Sequence, residues 1–330
     1  MDRSSVIRRS AQAAATSVAP ALRATRFLVA VMVPVSLAVA LLKEAGFIDL
    51  LSLWLDPAMS FIGLGGSSSL VFVSALLLNN YSAIAVIGTL GLPLRDVTIL
   101  AVMCLIAHNL IIECAVMKRT GSSATKMALL RIFVALVAAF GLNLVLPGAP
   151  AHRAVGFVPS AELFDLSGLG FPLSRLPEVL VAWALASGLL IAKIAVLVSV
   201  LTAGQKIMEE FGVIDRLGKT MAPLMLVFGL PSSTSFLWIV ANLLGLAYGS
   251  AIMIDRAESG KLPLADGDLF NHHAGISHSL LEDSVLYMAL GVGAFWVFVP
   301  RLVLAIAVVW LERGRRYLFR RSFRVGTVRG

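Results

Sequence analysis

Charge is scarce in this chain and cysteine nearly absent. Charged residues occupy 14% of its 330 positions, against about a quarter in a soluble globular domain, and a water-soluble fold is thereby excluded. Cys104 and Cys114 are its two cysteines; ten residues apart on one predicted helix, they stand about 15 Å apart along the axis, too far to pair with each other. Also missing are a glycine-rich phosphate loop, a Gly-x-Ser-x-Gly elbow and a His-Glu-x-x-His pair. No enzyme and no cofactor are therefore expected. His272, His273, His278, Glu282 and Asp283 are competent ligands, but no spacing among them is a known metal signature, and no metal site is assigned.

What is present is grease. Hydrophobic residues make up 58% of the chain, the mean hydropathy is +0.91, and the apolar runs are long enough to cross roughly 30 Å of hydrocarbon. With no water there to satisfy the backbone, the spans must be helical. The fold class is an all-α polytopic membrane protein. The net charge of +8 gathers in arginines at the two ends, which excludes nucleic acid as a partner and points the tails at membrane lipid headgroups.

The chain holds the same plan twice. At a shift of 166 positions Glu44, Gly46, Ile48, Asp49, Pro57, Met59 and Gly63 recur as Glu210, Gly212, Ile214, Asp215, Pro223, Met225 and Gly229. Each of these segments is too short and too charged to span, and reads as an amphipathic helix at the membrane surface. At a shift of 170 positions Leu92, Pro93, Asp96, His108, Leu110, Gly121 and Arg131 recur as Leu262, Pro263, Asp266, His278, Leu280, Gly291 and Arg301. Between the two come apolar runs interrupted by Asn79, Asn80, Tyr81 and Ser82, and by Gly245, Gly249 and Ser250. Polar groups are costly at mid-bilayer unless they line a cavity, so each run is read as a re-entrant hairpin of two half-helices.

About three spans per copy follow, and an odd number sets the second copy running opposite to the first, as in many secondary transporters. The divisions are a basic tail at residues 1–26, a first repeat at 27–147, a linker at 148–177, a second repeat at 178–312 and a basic tail at 313–330. With both termini cytoplasmic, that side collects Lys118, Arg119, Lys126, Lys206, Arg216, Lys219, Arg256 and Lys261 besides the tails. The outer side holds Lys43, Arg95, Arg153 and Arg175, in agreement with the positive-inside rule.

Candidate chemistry lies in the 170-shifted element. Asp268, Asn271, Gly275, His278 and Glu282 follow helical steps of three and four and would form one polar stripe. Only His108 keeps an ionisable side chain at the matching positions of copy one. Glu113 and Asp283 lie five residues past their histidines, about 140° around a regular helix, and would meet them only if the helix unwinds near Asn109 or Gly275. Arg131 and Arg301 are natural partners for these carboxylates, and a charge inside the membrane marks a pathway, a partner or a proton site by default. Lys193, alone in its span, reads equally as a coupling residue or as one that snorkels or pairs with a carboxylate.

The order of amphipathic helix, Ser-rich hairpin, broken polar helix and closing span, with the motifs His108-Asn109-Leu110-Ile111-Ile112-Glu113 and His278-Ser279-Leu280-Leu281-Glu282-Asp283, resembles the Gate, or nucleoside-recognition, domain. Spore-maturation membrane proteins, ferrous-iron transporter membrane parts and concentrative nucleoside transporters share that domain. The resemblance implies a bacterial inner-membrane transporter or permease whose hairpin tips and broken helices meet at a central site. It departs from the iron transporters in lacking a preceding GTPase domain and a Cys-centred gate, and from the nucleoside carriers in lacking their Gln-Thr and Asn-Glu pairs. The expected binding residues are Asn79, Asn80, Ser82, His108, Asn109, Glu113, Ser250, Asn271, His272, His278, Ser279, Glu282 and Asp283, for a small polar solute or ion. The other readings are a non-transporting scaffold working through a partner membrane subunit or homo-oligomer, and a divalent metal ion permease.

Overall fold

The computed structural model describes residues 3–148, 170, 173–243 and 245–326, and these are helices and their connections, without a strand. The first copy comprises α1 (Arg3–Thr16), α2 (Val18–Glu44), α3 (Phe47–Ser60), α4 (Ser68–Leu77), α5 (Asn80–Leu90), α6 (Leu94–Ala107), α7 (Leu110–Arg119) and α8 (Ala124–Val145). The second comprises α9 (Leu176–Glu210), α10 (Val213–Val227), α11 (Ser235–Leu243), α12 (Gly245–Glu258), α13 (Leu264–Ala274), α14 (Glu282–Met288) and α15 (Ala294–Gly326). The basic N-terminal stretch is helical, and α2 carries it without a break into the first apolar run. Most of the linker at 148–177 lies outside the described residues.

Among the described residues five helical stretches are long and apolar enough to cross a membrane: Ser4–Glu44, Leu94–Arg119, Ala124–Val145, Leu173–Glu210 and Ala294–Leu318. The sixth expected crossing, Asp266 to Leu290, is not one helix but α13 and α14 with irregular backbone between them. The hairpins are present as paired short helices. Asn79, extended at φ −168°, caps α5 by accepting from the Ser82 amide, while Gly245 takes the left-handed φ of +73° at the start of α12. A helix of ten residues spans about 15 Å, half of the hydrocarbon thickness, so neither α4 nor α11 crosses alone.

The duplication extends to backbone conformation. Gly46 and Gly212, at φ 75° and 61°, turn α2 into α3 and α9 into α10; Gly63 and Gly229 are at 75° and 72°, and Gly121 and Gly291 at 110° and 102°. Leu64 N donates to Met59 O at 3.0 Å and Leu230 N to Met225 O at 2.7 Å, the six-to-one bond that closes a helix end on a left-handed residue. These glycine identities are thus bound to turns that a Cβ would strain.

At the centre sits α6, apolar on every face and buried from Asp96 to Ala107, as expected of a helix without a polar side. The long helices α2 and α9 lie together outside it, where Trp183 Nε1 donates to Ser36 Oγ at 3.0 Å. The copies also meet at a tight seam, where Gly121 faces the Leu264 carbonyl and Gly267 the Thr120 carbonyl. A Cβ at Gly267 would lie 2.2 Å from Thr120 O, so Gly267→Ala must push the copies apart. A loss of about 1–3 kcal/mol is expected for such overpacking, read as a lower unfolding midpoint in detergent.

Candidate functional site

The two broken helices meet at their breaks. α6 ends at Ala107, His108 is extended, and Asn109 takes φ +49° before α7 begins; in the second copy Ser279 takes φ +47° between α13 and α14. The unwinding required for Glu113 to approach a histidine is therefore real, and it occurs at Asn109 in copy one. In copy two the left-handed residue is Ser279, while Gly275 keeps a helical φ of −58°.

The breaks are stitched identically. Asn109 N donates to Ala75 O at 2.8 Å and Ser279 N to Ala241 O at 3.0 Å, so the last turn of each hairpin's first helix receives the amide that the break releases. The carbonyls released by the break go to arginine: Arg131 Nε donates to Ile106 O and Nη2 to His108 O, both at 2.9 Å. Arg301 does the same for Ile276 O at 3.4 Å and for His278 O. Both guanidinium side chains are fully buried. Main-chain bonds of Asn109 and Ser279 hold the breaks in place. Ser279→Gly should keep the break and stabilise it by about 1 kcal/mol, while Ser279→Val should destabilise it; unfolding midpoints in detergent check both.

His108 and His278 come face to face, Nε2 to Nε2 at 3.3 Å. Residues related by the 170-residue shift therefore touch, which puts them on the pseudo-two-fold axis between the copies. Glu113 Oε1 lies 3.1 Å from His108 Nε2 and 3.2 Å from His278 Nε2, and its Oε2 lies 2.6 Å from Arg131 Nη2. Asp283 Oδ2 is 3.3 Å from His108 Nε2. Each ring turns its other nitrogen to the main chain, His108 Nδ1 to Cys104 O at 2.9 Å and His278 Nδ1 to Ala274 O at 2.6 Å. A carbonyl only accepts, so Nδ1 carries the hydrogen and donates, and in the neutral ring Nε2 offers a lone pair to the cluster.

Around this core the hairpin tips converge on Glu282. Tyr81 OH donates to Glu282 Oε1 at 3.4 Å from the first tip, and at the second a Cβ on Gly245 would stand 2.7 Å from Glu282 Oε2. Asn80 Oδ1 accepts from Tyr287 OH at 3.1 Å. Asn79 and Ser82 serve their own hairpin turn, with Asn79 Oδ1 accepting from the Ser82 amide and hydroxyl. Ser250 is half-buried on α12.

Asn271 and His272 belong to a different cluster. The break after α13 divides the predicted stripe, leaving Asp268, Asn271 and His272 on one side and His278 and Glu282 on the other. Asn271 Nδ2 caps the end of α7 through Met117 O at 3.1 Å and the hydroxyls of Thr120 and Ser122, each at 3.0 Å. His272 Nδ1 faces Asp268 O at 2.6 Å. Asp268 is paired with Arg316, and Glu312 with Arg315, Arg316 and Lys126. His273 points elsewhere again, stacked on Phe228 with ring centroids 5.2 Å apart. Lys193 donates to the Ala289 carbonyl at the end of α14.

Sequence reasoning missed Tyr287, Ser284 and the carbonyl-capping role of the arginines. The matched pair Arg131 and Arg301 in apolar spans was the available signal. Arg301 Nη1 takes Ser284 Oγ at 3.0 Å, while Asp283 turns to His108 across the axis.

No family model matches this chain, and no solved structure does. The uncharacterized membrane protein YvoD of Bacillus subtilis (strain 168) is 30% identical to it over 286 residues, 85% of this chain and 89% of that protein. The chain therefore belongs to the membrane-protein family that contains YvoD.

Proposed function

We propose that the protein is a secondary transporter or permease of the bacterial inner membrane, with both termini in the cytoplasm, moving a small polar solute or ion through the site where its two copies meet. The observation that carries this reading is the meeting of two broken helices, on the axis relating the copies, around His108, His278 and Glu113. Irregular backbone at membrane depth is sustained only where protein buries it or a polar cavity adjoins it, and a midplane site between repeats is how many secondary transporters are built. Asn80 Nδ2 and Asn242 Oδ1 on the hairpins and Ser277 Oγ beside His278 are buried without a hydrogen-bond partner among the described residues, which suits a polar guest.

The sidedness rests on charge. Arg9 pairs with Glu210, Arg119 with Glu258 and Lys126 with Glu312, all joining segments assigned to the cytoplasm, whereas Arg175 pairs with Glu44 on the outer side. Sealed vesicles containing the purified protein should accumulate at least one of a panel of nucleosides, nucleobases, organic anions and divalent metals. A correctly folded protein that moves none of them would overturn the reading.

A further inference from the structure

The central cluster has a property that a hydrogen-bonding site for an organic solute does not need. Both Nδ1 atoms are committed as donors to main-chain carbonyls, so each Nε2 is left with an acceptor lone pair, and the two Nε2 atoms lie 3.3 Å apart. Glu113 Oε1, another acceptor, joins them. The three atoms form a nearly equilateral triangle with sides of 3.3, 3.2 and 3.1 Å. Three acceptors at this spacing repel one another unless something positive sits between them.

A proton on one ring relieves only part of this. With the hydrogen on His108 Nε2, that atom can serve Glu113 Oε1 and Asp283 Oδ2, yet His278 Nε2 still confronts Glu113 Oε1 at 3.2 Å as acceptor to acceptor; with the hydrogen on His278 Nε2 instead, His108 Nε2 still confronts Glu113 Oε1 at 3.1 Å and Asp283 Oδ2 at 3.3 Å. Protonating both rings lets each donate to Glu113 Oε1, but it sets two cationic imidazoles 3.3 Å apart in a buried site that already holds Arg131. A cation bonded to all three atoms relieves every contact at once.

We infer that His108, His278 and Glu113 form a binding site for a divalent d-block cation of the zinc type, placed at the junction of the two copies. Metal–nitrogen and metal–oxygen bonds of about 2.0–2.1 Å in tetrahedral geometry separate the ligand atoms by about 3.3–3.4 Å, close to the sides of the observed triangle. The supporting contacts are those of a metal site: each ligand imidazole is oriented by an Nδ1–H to carbonyl bond, and the ligand carboxylate is held by Arg131 on its other oxygen. Two imidazoles favour such cations over calcium or magnesium, which prefer all-oxygen shells. Three protein donors leave a fourth position for water or for Asp283 Oδ2, and an open position with a guanidinium close by suits a cation that is bound reversibly. Asp268, His272 and Glu312 also lie within ligand reach of one another, but there both oxygens of Glu312 are taken by Arg315, Arg316 and Lys126, whereas Arg131 engages Glu113 through Oε2 and leaves Oε1 to the histidines.

This inference rests on the reading of the cluster as the binding site of a transporter and names the ligand class. The test uses untagged protein in detergent, stripped with chelator and titrated with Co2+ while the visible d–d bands are recorded. Wild type should bind Co2+ stoichiometrically with the intense bands of a tetrahedral site, and Zn2+ should displace it. His278→Ala and His108→Ala should lose the bands. His278→Cys should retain binding and add a sulfur-to-cobalt charge-transfer band, which keeps the test decisive where an alanine variant fails to fold. Wild type that takes up neither Co2+ nor Zn2+, or alanine variants that bind as wild type does, would overturn the inference. Flux measured on the same preparations separates the two ideas: metal binding without flux of any solute sustains the site and defeats transport, and flux without metal binding does the reverse.

Discussion

Arg131→Ala is expected to cost about 3–5 kcal/mol of stability, the usual penalty for leaving one member of a buried ion pair behind. The side chain is fully buried and makes three contacts at once, with Ile106 O, His108 O and Glu113 Oε2. Removing it strands two main-chain carbonyls and a carboxylate where no water replaces them. Arg131→Lys should rescue little, because one ammonium cannot reproduce the planar fork that serves Nε and Nη2 acceptors together. The matching Arg301→Ala should be milder, since Arg301 caps Ile276 O and His278 O but has Ser284 in place of a carboxylate. Chemical unfolding in detergent measures all three. Equal midpoints for wild type and Arg131→Ala would show that the break holds without its arginine.

His278→Ala should reduce solute flux in sealed vesicles to the level of protein-free vesicles, and His108→Ala should do the same. The two rings face each other across the pseudo-axis and share Glu113, so either deletion removes one side of the same triangle. Neither ring anchors the fold as the arginines do. Each Nδ1 accompanies a carbonyl of its own segment four residues back, and the chain should still insert and purify as a monodisperse species. Wild-type flux in either variant would remove the cluster from the pathway and with it the proposed mechanism.

Much of the architecture could be read from the residues because it is written in glycine and proline spacing. Gly46 with Gly212, Gly63 with Gly229 and Gly121 with Gly291 recur at fixed shifts, and each pair proves to occupy the same left-handed turn. The central histidines were legible for the same reason: a residue type costly in an apolar span appears at matching places in both copies. Helical periodicity puts Asn271 on one stripe with His278 only if it is carried through a segment that is not helical. The backbone conformation at Ser279 that divides them leaves no mark in side-chain polarity. The arginine caps were hidden for a related reason, since the carbonyls that they serve exist as free acceptors only after the helix has broken.

The position of His108 and His278 on the axis that relates the copies has an evolutionary consequence. A residue on a two-fold axis meets its own counterpart, so a single half-length polypeptide pairing with a second copy of itself would already have supplied both rings of this contact. In such a homodimer any one codon change would alter both sides of the site at once. With both copies on one chain that constraint is absent, and the off-axis companions can differ. The two carboxylates differ in this way: Glu113 pairs with the arginine of its own half and contacts both histidines, while its counterpart Asp283, one methylene shorter, contacts the other half's His108.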